Sequence, residues 1–559
     1  MVRATFSGFN TALSALQANQ KRLDITGQNL SNMNTAGYTR QQLEASSLNY
    51  TNPVSHYSNG NETAVGFGVS MDRVSQIRDP YLDIQYRSQS ADCSYTNRLQ
   101  TALNSLSKVL DETTISGIRQ AFDDVQSTLT SMQDPAKVSD PIYESELRTK
   151  MQSVCNLFNQ ASRQITQAEQ NEFQRLTGEG SSEQGDVQKI NDILRQIGDL
   201  NVQIKRNQVA GHPSLELQDE RNLLLDELSG YIPVETRYYK DDAHSGNNAY
   251  DYDANGAVIG KKDWPDDLEV SMNYIDAQGK SQKLILVNGS DLGADGLTKN
   301  YGQLSVLKGD HQTAASVSDP ANISIKFEKA PSYQGNGPAA TNDVYAELKG
   351  IRFEGGSLQA SLDMLQKTGT GKVINGSTAV DDVRGYQYYS EKLDHLALTF
   401  AESMNNINNG NKNPKDQNLL SNSTDDSTTG ITAGNIGISK GWTSGTVHIS
   451  TNGTNRTDTI LDMIAAMKDT TKLNGKTFAD YMNNLSTQLA SDSSSNQTAL
   501  KTGTTVLNSI QDSRDSLSGV SLDEEATNMM AYVSAYNAAS RLMTALDEVL
   551  NTLISNTGA

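Results

Sequence analysis

Residues 522–554 read Leu522-Asp-Glu-Glu-Ala-Thr-Asn-Met-Met-Ala-Tyr-Val-Ser-Ala-Tyr-Asn-Ala-Ala-Ser-Arg-Leu-Met-Thr-Ala-Leu-Asp-Glu-Val-Leu-Asn-Thr-Leu-Ile554, with no Gly or Pro. Leu522, Met529, Tyr532, Tyr536, Ala539, Met543, Leu546, Leu550 and Leu553 keep alternating steps of three and four, broken only by Glu525. That is the period of a left-handed coiled-coil seam. Asp523, Glu524 and Glu525 suit the positive end of a helix dipole, and Ser521 with Glu524 three residues on reads as an N-cap. At the other end Phe6, Phe9, Leu13, Leu16, Leu23 and Leu30 share a weaker register in which Gln20 and Gly27 fill the remaining positions. A narrow stripe buries little by itself, so each terminal helix needs a partner. The partners expected are each other and neighbouring copies; an ordinary helical bundle inside one molecule satisfies the same period.

Working inward, Asn34-Thr-Ala-Gly37-Tyr38 supplies a turn, and Tyr50 to Gly68, with Pro53, Asn59-Gly60 and Gly66, reads as an extended connector. Helical periodicity follows from about Pro80 to Ser131, with Tyr95, Leu99, Leu103, Leu106 and Leu110 on one stripe, and again after Asp140-Pro141. It breaks at Thr177 to Gly185, resumes near Asp186, and ends at Gly230. From Val234 to Gly355 the period becomes two. Leu268, Val270, Met272 and Tyr274 alternate and turn at Asp276–Gly279 into Lys283–Val287; Ile323, Ile325 and Phe327 alternate likewise. Helix returns from about Gly385 to Asn408, Asn408–Asp426 reads as loop, Trp442–Ser450 as a short strand pair, and helices resume at Asp458 and Thr477.

The expected fold is therefore mainly α with an inserted all-β domain. Residues 1–45 plus 515–559 form a terminal coiled coil and 46–85 an extended connector. Residues 86–233 plus 356–514 form a helical inner domain built from both halves of the chain, and 234–355 a β-rich outer domain.

With 559 residues, several domains are expected. The formal charge of −20 disfavours nucleic acid and anionic membrane as partners. Two cysteines, Cys93 and Cys155, give neither a disulfide framework nor a zinc spacing. Met1–Leu16 lacks the apolar stretch of a cleaved signal, and no aliphatic run approaches the ~20 residues of a membrane helix.

The search for chemistry returns no catalytic residue, no cofactor and no metal. No His-Glu-x-x-His occurs among the six histidines. Gly475-Lys476-Thr477 lacks the first glycine of a phosphate loop, and Ile374 stands where a dinucleotide fingerprint needs its third glycine. Asp251-Tyr-Asp253-Ala-Asn255-Gly256 places ligands at the first, third and fifth positions of a calcium loop. Its twelfth residue is Lys262, however, so a tight turn is the better reading.

Leu23–Gln41, with Gly-Gln-Asn-Leu-Ser-Asn-Met-Asn-Thr-Ala-Gly-Tyr-Thr-Arg inside it, resembles the N-terminal signature of the bacterial flagellar axial proteins. Gly519–Tyr532 followed by Ala535–Arg541 resembles their C-terminal signature. Gly66–Arg73, Ile77-Arg-Asp-Pro-Tyr-Leu82 with Gln85, Gln218–Leu228, Gly355-Gly-Ser-Leu358 and Leu393–Asn406 look more narrowly like the hook-associated protein 1 family. The sequence departs from that pattern at Gln28 and Ala36, in the break at Thr177–Gly185, and in the unmatched insertion 234–355.

The resemblance implies a structural adaptor ring at the hook–filament junction, exported without a cleaved signal and located outside the cell. The implied partners are further copies in a helical array, hook protein, the second hook–filament junction protein and a flagellar export chaperone. Leu13, Leu16, Leu23, Leu30, Tyr532, Tyr536, Met543, Leu546, Leu550 and Leu553 are the assembly-interface candidates. Tyr532, Tyr536, Met543, Leu546 and Leu550 are also the chaperone-binding candidates that the resemblance supplies. The alternatives are a hook or distal rod protein of the same axial family, or an adhesin or enzyme site in the β region built on Trp264, Tyr274 and the Asp251 loop.

Overall fold

The structure, a computed structural model, describes residues 2–557 apart from 49–67, 111–116, 139, 241–249, 253–257, 262–265, 276–278, 290–298, 331–343, 347–351, 370–372, 375–376, 379–382, 411–416 and 452. The first helix, α1 (Val2–Asn32), ends in a turn where Gly37 takes a φ of 77°. β1 (Gln41–Ser47) and β2 (Val69–Gln76) then pair antiparallel, Gln41 opposite Gln76 and Leu43 opposite Val74. The reading of 46–85 as a plain extended connector is corrected here. Its ends are a paired sheet and the start of a helix, while 49–67 lie outside the described residues. No apolar alternation announces this sheet, because backbone bonds and cross-strand pairs such as Arg73–Glu44 (2.6 Å) and Ser46–Asp72 (3.1 Å) join it.

Pro80 opens α2 (Pro80–Leu110), and the Asp79 carboxylate caps it by accepting the Tyr81 N–H at 2.9 Å. α3 (Ile118–Ser131), the short α4 (Pro135–Val138) and α5 (Pro141–Thr177) follow; Asp140 accepts the Ile142 N–H at 2.9 Å. The break at Thr177–Gly185 is a tight reversal. Gly178 closes α5 at φ 78°, and a Cβ on Gly185 would lie 2.4 Å from the Gly178 nitrogen. α6 (Asp186–Val209) and α7 (Leu215–Tyr231) complete this half.

In the β region β3 (Glu235–Lys240) precedes a two-stranded pair, β4 (Tyr250–Tyr252) and β5 (Val258–Lys261). β6 (Asp266–Ile275) and β7 (Ser281–Asn288) form the expected hairpin, Met272 opposite Leu284, and β3 pairs with β6. β8 (Gln303–Leu307), β9 (Ser324–Glu328) and β10 (Val344–Ala346) make a second sheet in the order β10-β9-β8, while β11 (Arg352–Phe353) joins β6. The β region is seated on the helices rather than standing apart. Leu268, Leu286, Leu304 and Phe327 belong to the same apolar core as Ile190, Leu194 and Ile197 of α6. The Asn201 amide donates to the carbonyls of Leu268 (3.1 Å) and Gly289 (3.0 Å), and Asn191 exchanges bonds with the backbone of Leu304.

α8 (Ser357–Gln366) is a helix that the periodicity missed. Every residue from Leu358 to Gln366 is buried, so no polar face marks the period. Its polar groups are matched inside: Tyr95 Oη and Gln359 donate to Asp363 at 2.8 and 2.7 Å, and Lys367 pairs with it at 3.1 Å. The small pair β12 (Val373–Ile374) and β13 (Ser377–Thr378) leads to α9 (Tyr386–Asn408). Within the stretch read as loop, β14 (Leu420–Asn422) pairs with β15 (Ile436–Ile438). Trp442 lies not in a strand but in α10 (Lys440–Ser444), capped by Ser439, with its indole N–H on Glu144 at 2.8 Å. α11 (Asp458–Met467), α12 (Phe478–Ser518) and α13 (Leu522–Thr557) finish the chain. Phe122, Phe158, Phe400 and Phe478, from four helices, meet at the centre of the helical body.

Candidate assembly site

The two terminal helices lie side by side. The Arg22 guanidinium sits 5.6 Å over the Tyr532 ring, and the Leu546 methyls lie 3.5 Å from where Gly8 would carry a Cβ, so α13 comes close to α1 there. Of the sequence-derived candidates, Leu16, Leu23, Leu30, Tyr532, Met543, Leu546 and Leu550 are half-buried, while Leu13 (47 % exposed), Tyr536 and Leu553 are exposed.

The side chains that α1 buries, Ala12, Ala18, Asn19, Ile25, Thr26 and Asn29, form a band one to two positions before Leu13, Gln20, Gly27 and Leu30, each position being about 100° around the helix. The reason is a second neighbour. α1 also carries the β1–β2 sheet: Ser14 Oγ accepts the Val69 N–H at 3.2 Å, and Asn29 accepts from Gln41 N and donates to Gln41 O at 3.0 Å each. Small and polar residues fit there, together with Ile25. α13 keeps a further apolar face open, with Met530 65 %, Val549 54 % and Ile554 63 % exposed.

Where the terminal pair meets the body, four separate chain segments converge on a network of charges. Arg40 donates its N–H to Ser518 O at 2.9 Å and pairs with Glu524 at 2.7 Å and buried Glu525 at 2.8 Å, tying the two terminal signatures together. Thr39 gives its N–H and hydroxyl to Asp219 of α7 at 3.0 and 2.6 Å. Arg78 is bidentate on Asp83 (2.5 and 3.1 Å) and lies 3.9 Å from Asp219. Arg87 reaches Asp226 at 2.8 Å, and Arg514 bridges Asp83 (3.2 Å) and Asp226 (2.7 Å) with its guanidinium 4.2 Å over the Tyr86 ring.

Burial raises the Asp219 pKa to about 6, against the lowering effect of the Thr39 bonds and Arg78. Burial works against the Arg78 cation, but bonded Asp83 outweighs it and holds the guanidinium above its ordinary value. Burial, then the carboxylates of Glu216, Asp219 and Glu525, push the Tyr38 phenol up.

The motifs quoted from the sequence contain Thr39, Arg40, Arg78, Asp219 and Asp226 without giving them a role, and the sequence reading gives Glu524 and Glu525 only a helix-dipole and N-cap role. Asp83, Arg87 and Arg514 lie outside those motifs. The available signal was the set of charges at the ends of helical segments in a chain only 20% charged.

Among the described residues no three metal-ligating side chains cluster, and no helix is long and apolar enough to cross a membrane. The phosphate-loop look-alike is a turn, with Asn474 and Gly475 at φ 53° and 80° and Thr477 capping α12. Tyr274 is buried in the sheet; Asp253, Asn255, Lys262 and Trp264 lie outside the described residues.

Residues 9–39 match the family described as flagella basal body rod protein, and residues 513–556 the C-terminal part of the flagellar basal body rod FlgEFG proteins. Both ends of the chain are thus similar to those of flagellar basal body rod proteins. Residues 103–416, more than half of the chain, match the flagellar hook-associated protein FlgK helical domain, and the chain belongs to that family. It is similar to flagellar hook-associated protein 1 of Bacillus subtilis, 29% identical over 99% of both chains. The same protein of Salmonella typhimurium is 29% identical over 40% of this chain and 38% of its own. A solved structure of the flagellar hook junction protein FlgK from Burkholderia pseudomallei aligns with 61% of this chain and 45% of its own, at 19% identity and a TM-score of 0.37. The chain is thus a structural component of the flagellum and not an enzyme.

Proposed function

We propose that the chain is the adaptor at the hook–filament junction, assembling as a ring of copies in a helical array between hook protein and the second junction protein. The observation that carries this reading is the terminal pair itself. Residues 1–45 and 515–559 satisfy each other only in part, leaving apolar side chains such as Met530, Val549 and Ile554 open on a helix already committed to α1 on its other side. A coiled coil of terminal helices completed by neighbours accounts for that surface. It also makes Leu13, Leu16, Leu23, Leu30, Tyr532, Tyr536, Met543, Leu546, Leu550 and Leu553 the assembly interface. Around such an array contacts are heterologous, so the surfaces that meet differ.

The helical inner domain (86–233 plus 356–514) and the β-rich outer domain (234–355) then face away from the axis. Export without a cleaved signal, as an unfolded chain, suits a protein whose two cysteines are both free and buried. A chaperone bound to Tyr532, Tyr536, Met543, Leu546 and Leu550 competes with α1 for α13, which keeps the ends apart until export. Electron microscopy of cells lacking this protein tests the reading. Complete hooks without filaments, with flagellin released into the medium, are expected. Absent hooks would move the chain to a hook or distal rod role, and normal filaments would overturn the axial role.

A further inference from the structure

α12 is two different helices in one. Its first turns are anchored in apolar core: Phe478, Tyr481, Met482, Leu485 and Leu489 are buried, with the Phe478 ring 5.5 Å from Phe122 and 5.6 Å from Phe400. Arg384 on Asp492 at 2.6 and 2.8 Å ends that anchor. Beyond Leu489 not one residue of α12 is buried, although the helix runs on along α2 for the rest of its length. Apolar packing there is partial, with Leu500, Leu507 and Ile510 only half-buried, and the side-chain bonds to α2 are Gln100 to Ser493 Oγ at 2.7 Å, Asn496 to Thr96 O at 2.8 Å, Gln89 to Gly503 O at 3.4 Å and Cys93 beside Thr504 at 3.4 Å.

The sequence of this half is also a poor helix former. Ser493-Ser-Ser495 and Thr502-Gly-Thr-Thr505 sit in mid-helix, and Thr498, Thr502, Thr505 and Ser513 turn their hydroxyls back onto carbonyls four residues earlier. The far end is fixed again, by Arg514 on Asp83 and Asp226.

We propose that residues 496–512 are a strap that opens and closes as its own cooperative unit between two fixed ends, making the link from the helical body to α13 compliant. A helix with no buried side chain, weak propensity and water-accessible bonds has little to hold it closed, whereas both flanks are held by features absent from the strap. This holds whatever the protein joins.

Native-state amide hydrogen exchange on the full chain tests it. The amides of 496–512 should exchange at least tenfold faster than those of 478–489 and 99–106. Gly503→Ala should slow the strap about fivefold, because its Cβ meets Gln89 at 3.4 Å and Cys93 at 3.8 Å, ordinary contact distances, and alanine is the better helix former. Thr502→Ala, on the exposed side, should slow it about threefold by the same propensity argument. In both variants 478–489 should be unchanged. Arg514→Gln, which frees the lower end, should speed exchange of the strap about tenfold. Strap amides as slow as those of 478–489, or variants that shift both segments together, would overturn the proposal.

Discussion

Phe122, Phe400 and Phe478 come from three helices and meet with centroids 5.2, 5.5 and 5.6 Å apart, almost wholly out of solvent. α13, nearly as long as any described helix, buries only Glu525 and Ala539 among its described side chains and leaves Met530 and Ile554 mostly exposed. The body completes its packing within one chain; the termini do not. Under the proposed function that difference separates what folds from what assembles, and it assigns each mutation a place to show its effect.

The largest expected effect is in the body. Phe400→Ala removes a ring packed on Phe122 and Phe478 and should cost about 3–5 kcal/mol in urea unfolding. A cost close to zero would mean that the body is loosely packed and the contrast with α13 false.

A second test uses pH. Burial raises the Glu169 pKa from 4.5 to about 7, although Gln387 donates to it at 2.6 Å, and Asp319 faces it with like charge. Because the folded state keeps a proton that the unfolded chain releases, stability is full below about pH 4.5 and falls as pH rises through about 7. The expected loss is on the order of 2–3 kcal/mol. Glu169→Gln keeps an acceptor for Gln387 and should flatten that slope in urea titrations at pH 5 and 8; an unchanged slope would place the proton elsewhere. Asp219 has the same sign at the joint, between its ordinary value and about 6.

At the joint, Glu525→Ala removes a buried partner of Arg40 and should cost about 1.5–3 kcal/mol of terminal anchoring. Faster proteolysis of residues 2–40, with body unfolding unchanged, is the expected signature. Smallest for the isolated chain is Met530→Ser on the open face of α13, expected within about 0.5 kcal/mol of the parent by thermal unfolding. A larger loss would mean that this face is already covered within one molecule.

Much of this division was legible in the sequence, because amphipathic periods record one-sided burial. α5, α6, the β6–β7 hairpin and α13 all announced themselves in that way. The signal fails where burial is not one-sided. α8 is enclosed by core on all sides, so Gln359, Ser361 and Asp363 blur its pattern while being satisfied inside. β1 and β2 are joined by charges and backbone, so they read as connector. The buried band of α1 lies one to two residues off the expected stripe because a sheet and a helix share that helix, and no period encodes two partners. The joint was the least visible. Arg78, Arg87 and Arg514 lie far apart in sequence, and nothing local says that they converge on Asp83, Asp219 and Asp226.

The central claim is that the termini are completed only by other copies while the body is complete alone. Val549→Asp tests it most directly, since Val549 is 54 % exposed on α13 and is no member of the body's apolar core. The purified variant should unfold in urea as the parent does, and cells carrying it should show hooks without filaments. Normal filaments on those cells would contradict the claim, as would loss of the body's unfolding transition.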